Sequence, residues 1–329
     1  MKKVVLVMVI ALVACSLFAQ GTKEAGSAMP EMILNPKLIS AWFQPYEADG
    51  IAAGNEYGAK VYFKASAAAD EAEQVRILED AINTGVNALL VVPNDANSLV
   101  PTFKKARAQG IVVMTHESPN QPEADFDIEM IDNVKFGEKF IEEFVRITGS
   151  KEGEYAIFVG SLTVPAHNIW ADAAIAYAKK NYPGLKLVAS KFPVSEDRNA
   201  ARQQTLELLQ VYPKLKGILG FGSQGGPGAA QALREVGRTA DVTVICTTSP
   251  AEASPFLKDG SIDECILWSS GDAAKAMVYI AKLVLDGERD QIKQGIEIPG
   301  LGKPTVDGMN LVFDFPLIVD KTNSDKYNF

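Results

Sequence analysis

Histidine is almost missing from this chain of 329 residues, which has two, His116 and His167. Cysteine is scarce too: Cys15, Cys246 and Cys265 form no C-x-x-C pair and no His/Cys spacing that could assemble a tetrahedral metal site. Neither a metal nor a cofactor is expected. Cations do not dominate, since 32 Lys and Arg stand against 41 Asp and Glu, a formal net charge of -9. Binding a polyanion requires clustered cations, so nucleic acid is not expected as a partner. After Ala14 no apolar run is long enough to cross a bilayer. Catalytic signatures are thin as well: there is no G-x-S-x-G elbow, no histidine in an obvious order with Ser and Asp, and no carboxylate pair that stands out. Enzymatic activity is not expected.

What is present starts with an export signal. Met1-Lys2-Lys3 is basic, and VVLVMVIALVA (Val4 to Ala14) is an apolar core of secretory length. Leu12-Val13-Ala14-Cys15 resembles a lipobox, which would make a diacylated Cys15 the mature N-terminus and anchor the protein to a membrane by lipid alone. The alternative is cleavage after Leu17-Phe18-Ala19, although the large Leu17 fits that cut badly. Either route leads to the periplasm or cell envelope. Gly21 to Pro30 reads as a polar tether. Cys246 and Cys265 each lie inside an apolar run (VTVIC, ECILW), as two buried free thiols or, alternatively, as a bridge between neighbouring strands.

Beyond residue 30, short apolar runs alternate with amphipathic segments, the pattern of βαβ units and parallel sheets. The strand candidates are 31–35, 60–64, 87–92, 110–115, 127–132, 154–160, 185–190, 217–221, 242–247 and 264–268. Between them, Asp70 can cap a helix that Gly85 ends, Leu99, Phe103 and Ala106 form a buried stripe, and Phe136, Phe140 and Phe144 recur every four residues. The rhythm appears twice, before Asp132 and after Gly153. It predicts an α/β fold of two doubly wound parallel-sheet lobes, with ligand groups beyond the carboxyl ends of the strands.

Polar and aromatic residues gather at those ends. Glu117 follows the fourth strand and can accept hydrogen bonds from ligand hydroxyls, while His116 beside it reads as a solvated loop residue. His167 and Asn168 follow the first strand of the second lobe. Trp42 and Phe43 supply planes for an apolar ring face, as do Trp170 and Trp268, with core packing the competing role for each. Lys37 faces the cleft if the first strand is EMILN and lies at the wrong end if it is LISAWF; Pro36 favours the former. LGFGSQGG imitates a dinucleotide fingerprint, yet the next strand ends in Thr247, Thr248 and Ser249 where an acidic residue belongs. Its glycines read instead as a turn bringing backbone to a small ligand, with Ser223, Gln224 and Thr247 as polar members.

These features, with PKLISAWFQ at the start, EQVRILEDAINTGVNALLVVPNDANSLVPTFKKARAQGIVVMTHES through the first lobe and the terminal SDKYNF, resemble the type I periplasmic binding proteins of sugar ABC importers. The similarity is greatest to the subgroup binding rhamnose, ribose-like sugars and the signal autoinducer-2, and it covers the mature chain. The resemblance implies ligand contacts at Lys37, Glu117, His167, Phe221 and Ser223. The chain departs from the autoinducer-2 pattern, with Glu117 in place of an Asp, Ala166 and His167 in place of Asp and Gln, and Phe221 and Ser223 in place of Pro and Ala. Loss of the carboxylate at Ala166 points to a different pentose, deoxyhexose or polyol. The resemblance also implies a three-strand hinge near Asp132-Asn133, near Ser269-Ser270 and before Pro316. That divides the chain into signal and tether (1–29), an N-terminal lobe (30–132 plus 270–315) and a C-terminal lobe (133–269 plus 316–329). The expected partners are a small sugar or polyol and the membrane permease of an ABC importer, with the receptor a monomer. A sensing role toward a chemoreceptor or sensor kinase uses the same clamshell. A sugar-responsive repressor would carry a basic DNA-binding domain where this chain has its export signal.

Overall fold

The structure, a computed structural model, describes residues 29–327 and 329. The apolar signal core, Cys15 and nearly all of the tether lie outside the described residues. In the first half of the chain, five strands alternate with three helices: β1 (Glu31–Asn35), α1 (Gln44–Tyr57), β2 (Lys60–Phe63), α2 (Glu71–Thr84), β3 (Ala88–Val91), α3 (Val100–Ala108), β4 (Val112–His116) and β5 (Phe126–Glu129). The second half continues with α4 (Asn133–Thr148), β6 (Glu152–Val159), α5 (Pro165–Asn181), β7 (Gly184–Leu187), β8 (Phe192–Pro193), α6 (Arg198–Val211) and β9 (Leu215–Gly220). Then come α7 (Gly225–Val236), β10 (Thr243–Cys246), α8 (Pro250–Asp259), β11 (Glu264–Leu267) and α9 (Ser270–Leu285). Three short strands close the chain, β12 (Thr305–Asp307), β13 (Asn310–Val312) and β14 (Leu317–Val319).

All ten expected strands are present. The four that pattern reading missed, β8 and β12 to β14, have two or three residues each, too few to show a period. The first sheet runs β12-β13-β5-β4-β3-β1-β2 and the second β14-β11-β10-β9-β6-β7, with β8 beside the end of β6. Pairing is parallel except for β12 with β13 and β11 with β14. The chain passes between sheets three times: β5 belongs to the first sheet while α4 packs on α5, β11 belongs to the second while α9 lies along α1, and β13 and β14 are in different sheets.

Sequence chemistry sets these elements locally. The Asp70 carboxylate accepts from the Glu73 N–H at 2.9 Å to start α2, and Gly85, at φ 84°, ends it in the left-handed conformation. β1 is buried on both faces. Met32 and Leu34 enter one apolar cluster, while Ile33 enters another between the sheet and α2 and α3, together with Leu78, Phe103 and Val113. Two-sided burial is why parallel strands read as continuous apolar runs. The larger cluster extends through both halves, joined where Phe136 and Trp170 pack edge-on against Trp268.

Candidate functional site

The carboxyl ends of β1, β4, β6, β8, β9, β10 and β11 converge on one narrow cleft between the two sheets, closed down to about 10 Å³ of free space. It is lined by Lys37, Trp42, Phe43, Glu117, His167, Trp170, Glu196, Gly222, Ser223, Thr247 and Trp268. Larger grooves elsewhere, such as one along Lys135, Lys139, Asp314 and Pro316, lie on the outer surface and lack this convergence of aromatic planes with buried charge.

Lys37 is at the centre. The strand is EMILN, so Pro36 turns the chain and Lys37 enters the cleft, its carbonyl held by the Asn94 side-chain amide at 2.9 Å. Its Nζ donates to Glu117 Oε2 at 2.8 Å, lies 3.2 Å from Glu196 Oε1 and 2.9 Å from His167 Nε2. Glu117 comes from the first lobe, Glu196 and His167 from the second, and all of these side chains are almost fully buried. Burial opposes the charge on Lys37, but the two glutamates outweigh it and raise its pKa. Burial likewise opposes ionisation of Glu117. The Lys37 ammonium, helped by His167, overcomes it and holds this carboxyl well below the usual range. Burial lowers the pKa of His167, and the Lys37 charge adds to the effect.

Glu117 has φ 58°, a backbone conformation that is uncommon outside glycine. The turn directs its side chain to Lys37 while its carbonyl accepts from the Ala166 N–H across the cleft at 3.2 Å. His116 departs from expectation. It is the buried last residue of β4, with Nδ1 2.6 Å from the Ile128 carbonyl and Nε2 accepting from Trp268 Nε1 at 3.2 Å. The indole N–H only donates, so His116 is neutral with its hydrogen on Nδ1. Burial lowers its pKa.

The aromatic walls form a chain. Trp42 meets Trp268 edge-on at 5.1 Å, Trp268 meets Trp170 at 5.3 Å, and His167 stacks on Trp170 at 5.1 Å with planes 27° apart. Ser223 donates to Glu196 Oε2 at 3.2 Å, and Thr247 to the Ile266 carbonyl at 2.9 Å. Gly222 lines the cavity at φ 136°. A Cβ there would stand 2.9 Å from atoms of Ser195, so the turn needs glycine.

Of the residues expected from sequence, Lys37, Trp42, Phe43, Glu117, His167, Ser223, Thr247 and Trp268 come together here. Three do not. The Asn168 amide donates to the Ser161 and Val164 carbonyls at the start of its own helix. Gln224 is engaged by Arg198 and Glu252, and Phe221 is core, packed on Phe140 at 4.5 Å. Glu196 was missed. It follows β8, and its one local signal is Asp197, the cap of α6, which puts the preceding residue at a strand-to-helix turn.

Behind the site, Asp127 and Glu129 share one face of β5, fully buried. Thr115 donates to Asp127 Oδ1 at 2.7 Å, whereas Asp127 Oδ2 and both Glu129 oxygens have no hydrogen-bond partner among the described residues. Burial pushes Asp127 up to about 6, and burial together with the Asp127 charge pushes Glu129 well above the usual range. Cys246 and Cys265 are free thiols in register on β10 and β11, their sulfurs 3.8 Å apart. Among the described residues no group of His, Cys, Asp and Glu could hold a metal ion, and no helix is long and apolar enough to cross a membrane.

Residues 32–289 match the family profile described as periplasmic binding protein domain. The chain belongs to that family. Family members are binding proteins rather than enzymes, and they work outside the cytoplasm. A D-ribose/D-allose-binding protein of Pseudomonas aeruginosa is 28% identical over 59% of this binding protein and 61% of its own length, less than two thirds of that relative. The D-allose-binding periplasmic protein of Escherichia coli is 26% identical over 69% of this chain and 74% of its own. Among solved structures, LsrB from Clostridium saccharobutylicum in complex with AI-2 superposes with TM-score 0.83 at 23% identity, covering 91% of this chain and all of that one. A solute-binding protein from Clostridium phytofermentas with bound L-rhamnose gives TM-score 0.84 at 19% identity, covering 91% and 98%. These likenesses establish the type I periplasmic binding fold of two sheets with flanking helices.

Proposed function

We propose that this protein is an exported solute receptor that closes over a small sugar or sugar-like polyol and delivers it to an ABC importer. The observation that carries this reading is the convergence of Lys37 and Glu117 from one lobe with His167 and Glu196 from the other, inside walls of Trp42, Trp170 and Trp268. Charged donors and acceptors on both sides of an aromatic slot suit a ligand with hydroxyl edges and an apolar ring face. The related proteins that bind ribose, allose and rhamnose support the same class. A ligand touching both lobes favours the closed form through its higher affinity for that form, and the permease reads the closed form. The lipobox reading makes Cys15 the lipid attachment point and the receptor a tethered one.

A second reading gains from Glu196. Ala166 lacks the carboxylate of autoinducer-2 binders, but Glu196 brings one to within 3.2 Å of Lys37 from the same lobe, so autoinducer-2 stays in the ligand set. A thermal-shift panel of D-ribose, D-allose, D-xylose, D-arabinose, L-rhamnose, xylitol and autoinducer-2 tests both readings, because a ligand bound only by the folded protein raises its melting temperature. At least one neutral sugar or polyol should do so. A shift with autoinducer-2 alone would favour a signal receptor, and no shift with any member would defeat the proposal.

A further inference from the structure

Lys37 and His167 meet donor to donor. The Gly160 backbone N–H, which can only donate, reaches His167 Nδ1 at 3.1 Å, so Nδ1 accepts and the ring hydrogen resides on Nε2. That Nε2 is 2.9 Å from Lys37 Nζ. Lys37 carries an ammonium because Glu117 and Glu196 flank it at 2.8 and 3.2 Å, and a neutral lysine would leave two buried carboxylates without a counter-charge. An ammonium offers hydrogens and no acceptor. The imidazole hydrogen therefore points at a cation, and the carboxylate oxygens nearest to it, Glu117 Oε2 and Glu196 Oε1, are both 3.7 Å away. A ring flip would put a carbon in place of Nδ1 and leave the Gly160 N–H without its acceptor.

A hydroxyl relieves the clash. A hydroxyl accepts from Lys37 and from Nε2–H on its two lone pairs and donates its own hydrogen to Glu117 or Glu196. A carboxylate could accept both bonds, but it brings a third negative charge beside two glutamates and has no hydrogen for them. An ammonium adds donors where two already oppose each other. We propose that His167, as the neutral Nε2–H tautomer, is the specificity-determining residue that, with Lys37, seats one uncharged hydroxyl of the ligand at the junction of the lobes. This rests on the sugar-receptor reading and specifies it.

The test is a cycle between protein and ligand. Whichever of D-ribose, D-xylose, D-arabinose and L-rhamnose binds most tightly is compared by calorimetry with its monodeoxy forms, each against wild type and His167→Phe. One deoxy position should cost about tenfold in affinity with wild type, the scale of a hydrogen bond to a charged or buried group, and clearly less with His167→Phe, where Lys37 and a glutamate still hold the hydroxyl. His167→Gln, which restores an amide donor, should recover most of the loss. Equal losses at every position with both proteins would overturn the assignment. A second arm needs wild type alone: at the sensitive position, the amino-deoxy sugar should bind more weakly than the deoxy sugar. Tighter binding of the amine would mean that the glutamates alone own the subsite, and would overturn the hydroxyl assignment while leaving the receptor reading intact. If none of the sugars binds, the receptor reading falls and this inference with it.

Discussion

Glu117 serves two directions at once, with its side chain on Lys37 and its carbonyl on the Ala166 N–H of the other lobe. Truncating it removes a charge-assisted acceptor from the cleft, so Glu117→Ala should weaken sugar binding by about 1 to 3 kcal/mol, and Trp42→Ala, which removes a wall of the slot, by a similar amount. Calorimetry giving wild-type affinity would take either residue out of the site. Protons matter here too. The folded-state pKa of His167 lies below its ordinary value of 6.5, so the closed site holds fewer protons than a solvated histidine would. Ligand affinity should be flat above pH 6.5 and fall as the pH drops below it, and His167→Gln should lose that fall; an unchanged acid limb in the variant would assign it to another group. Lys37, Glu117 and His167 were legible in the sequence because each follows a strand with a strong apolar signature. Asn168 and Gln224 were misread for a different reason. Position in a loop does not give side-chain direction, and both amides turn to nearby partners, carbonyls in one case and Arg198 and Glu252 in the other.

At the scale of the element, β5 shows a local conflict. A strand of the first sheet buries Asp127 and Glu129 side by side with three carboxylate oxygens unpartnered. Their raised pKa values mean that the folded protein binds more protons than the unfolded chain, so this strand destabilises the fold as the pH rises from the ordinary carboxylate range through the folded values. Glu129→Gln replaces a carboxyl that must take up a proton to be buried with an amide that can donate to Asp127. It should stabilise the protein by about 1 to 3 kcal/mol at neutral pH, with the gain shrinking toward pH 4 where Glu129 is protonated in both states. Denaturant unfolding at pH 7.5 and pH 4 checks this, and a gain independent of pH would refute the electrostatic cause. Element-level reading of the sequence worked where burial is two-sided, as in β1 and β3, and where a cap residue is explicit, as at Asp70. It failed at β8, which has two residues and depends on its neighbour β6 for its existence. Missing β8 meant missing Glu196.

For the whole molecule, the links across the cleft are few and polar. Among the described residues, Lys37 with Glu196, the Glu117 carbonyl with the Ala166 N–H, Trp268 with His116 at 3.2 Å, and Thr163 with Glu71 at 3.1 Å are direct links around its rim and centre. Each exchanges readily for water when the lobes part, so opening costs little beyond separating the aromatic walls. Reversing one sign, as in Glu196→Lys, places two ammonium groups face to face and should hold the lobes apart. Small-angle scattering should show a larger radius of gyration for that variant, and no contraction when a sugar that contracts wild type is added. A variant as compact as wild type would mean that charge pairing does not govern closure.

The return of the chain to the first sheet near its end has a consequence for how the protein is made. Asn310 of β13 pairs with Asp127 of β5, and α9 covers α1, so the half that begins the sequence is finished by residues that come almost last. A chain emerging N-terminus first from a synthesis or export channel carries β5 as an open edge until then. Its first lobe matures late, while the second, continuous from α4 to β11, has nearly all its strands in hand earlier. Order of assembly thus runs against order of synthesis.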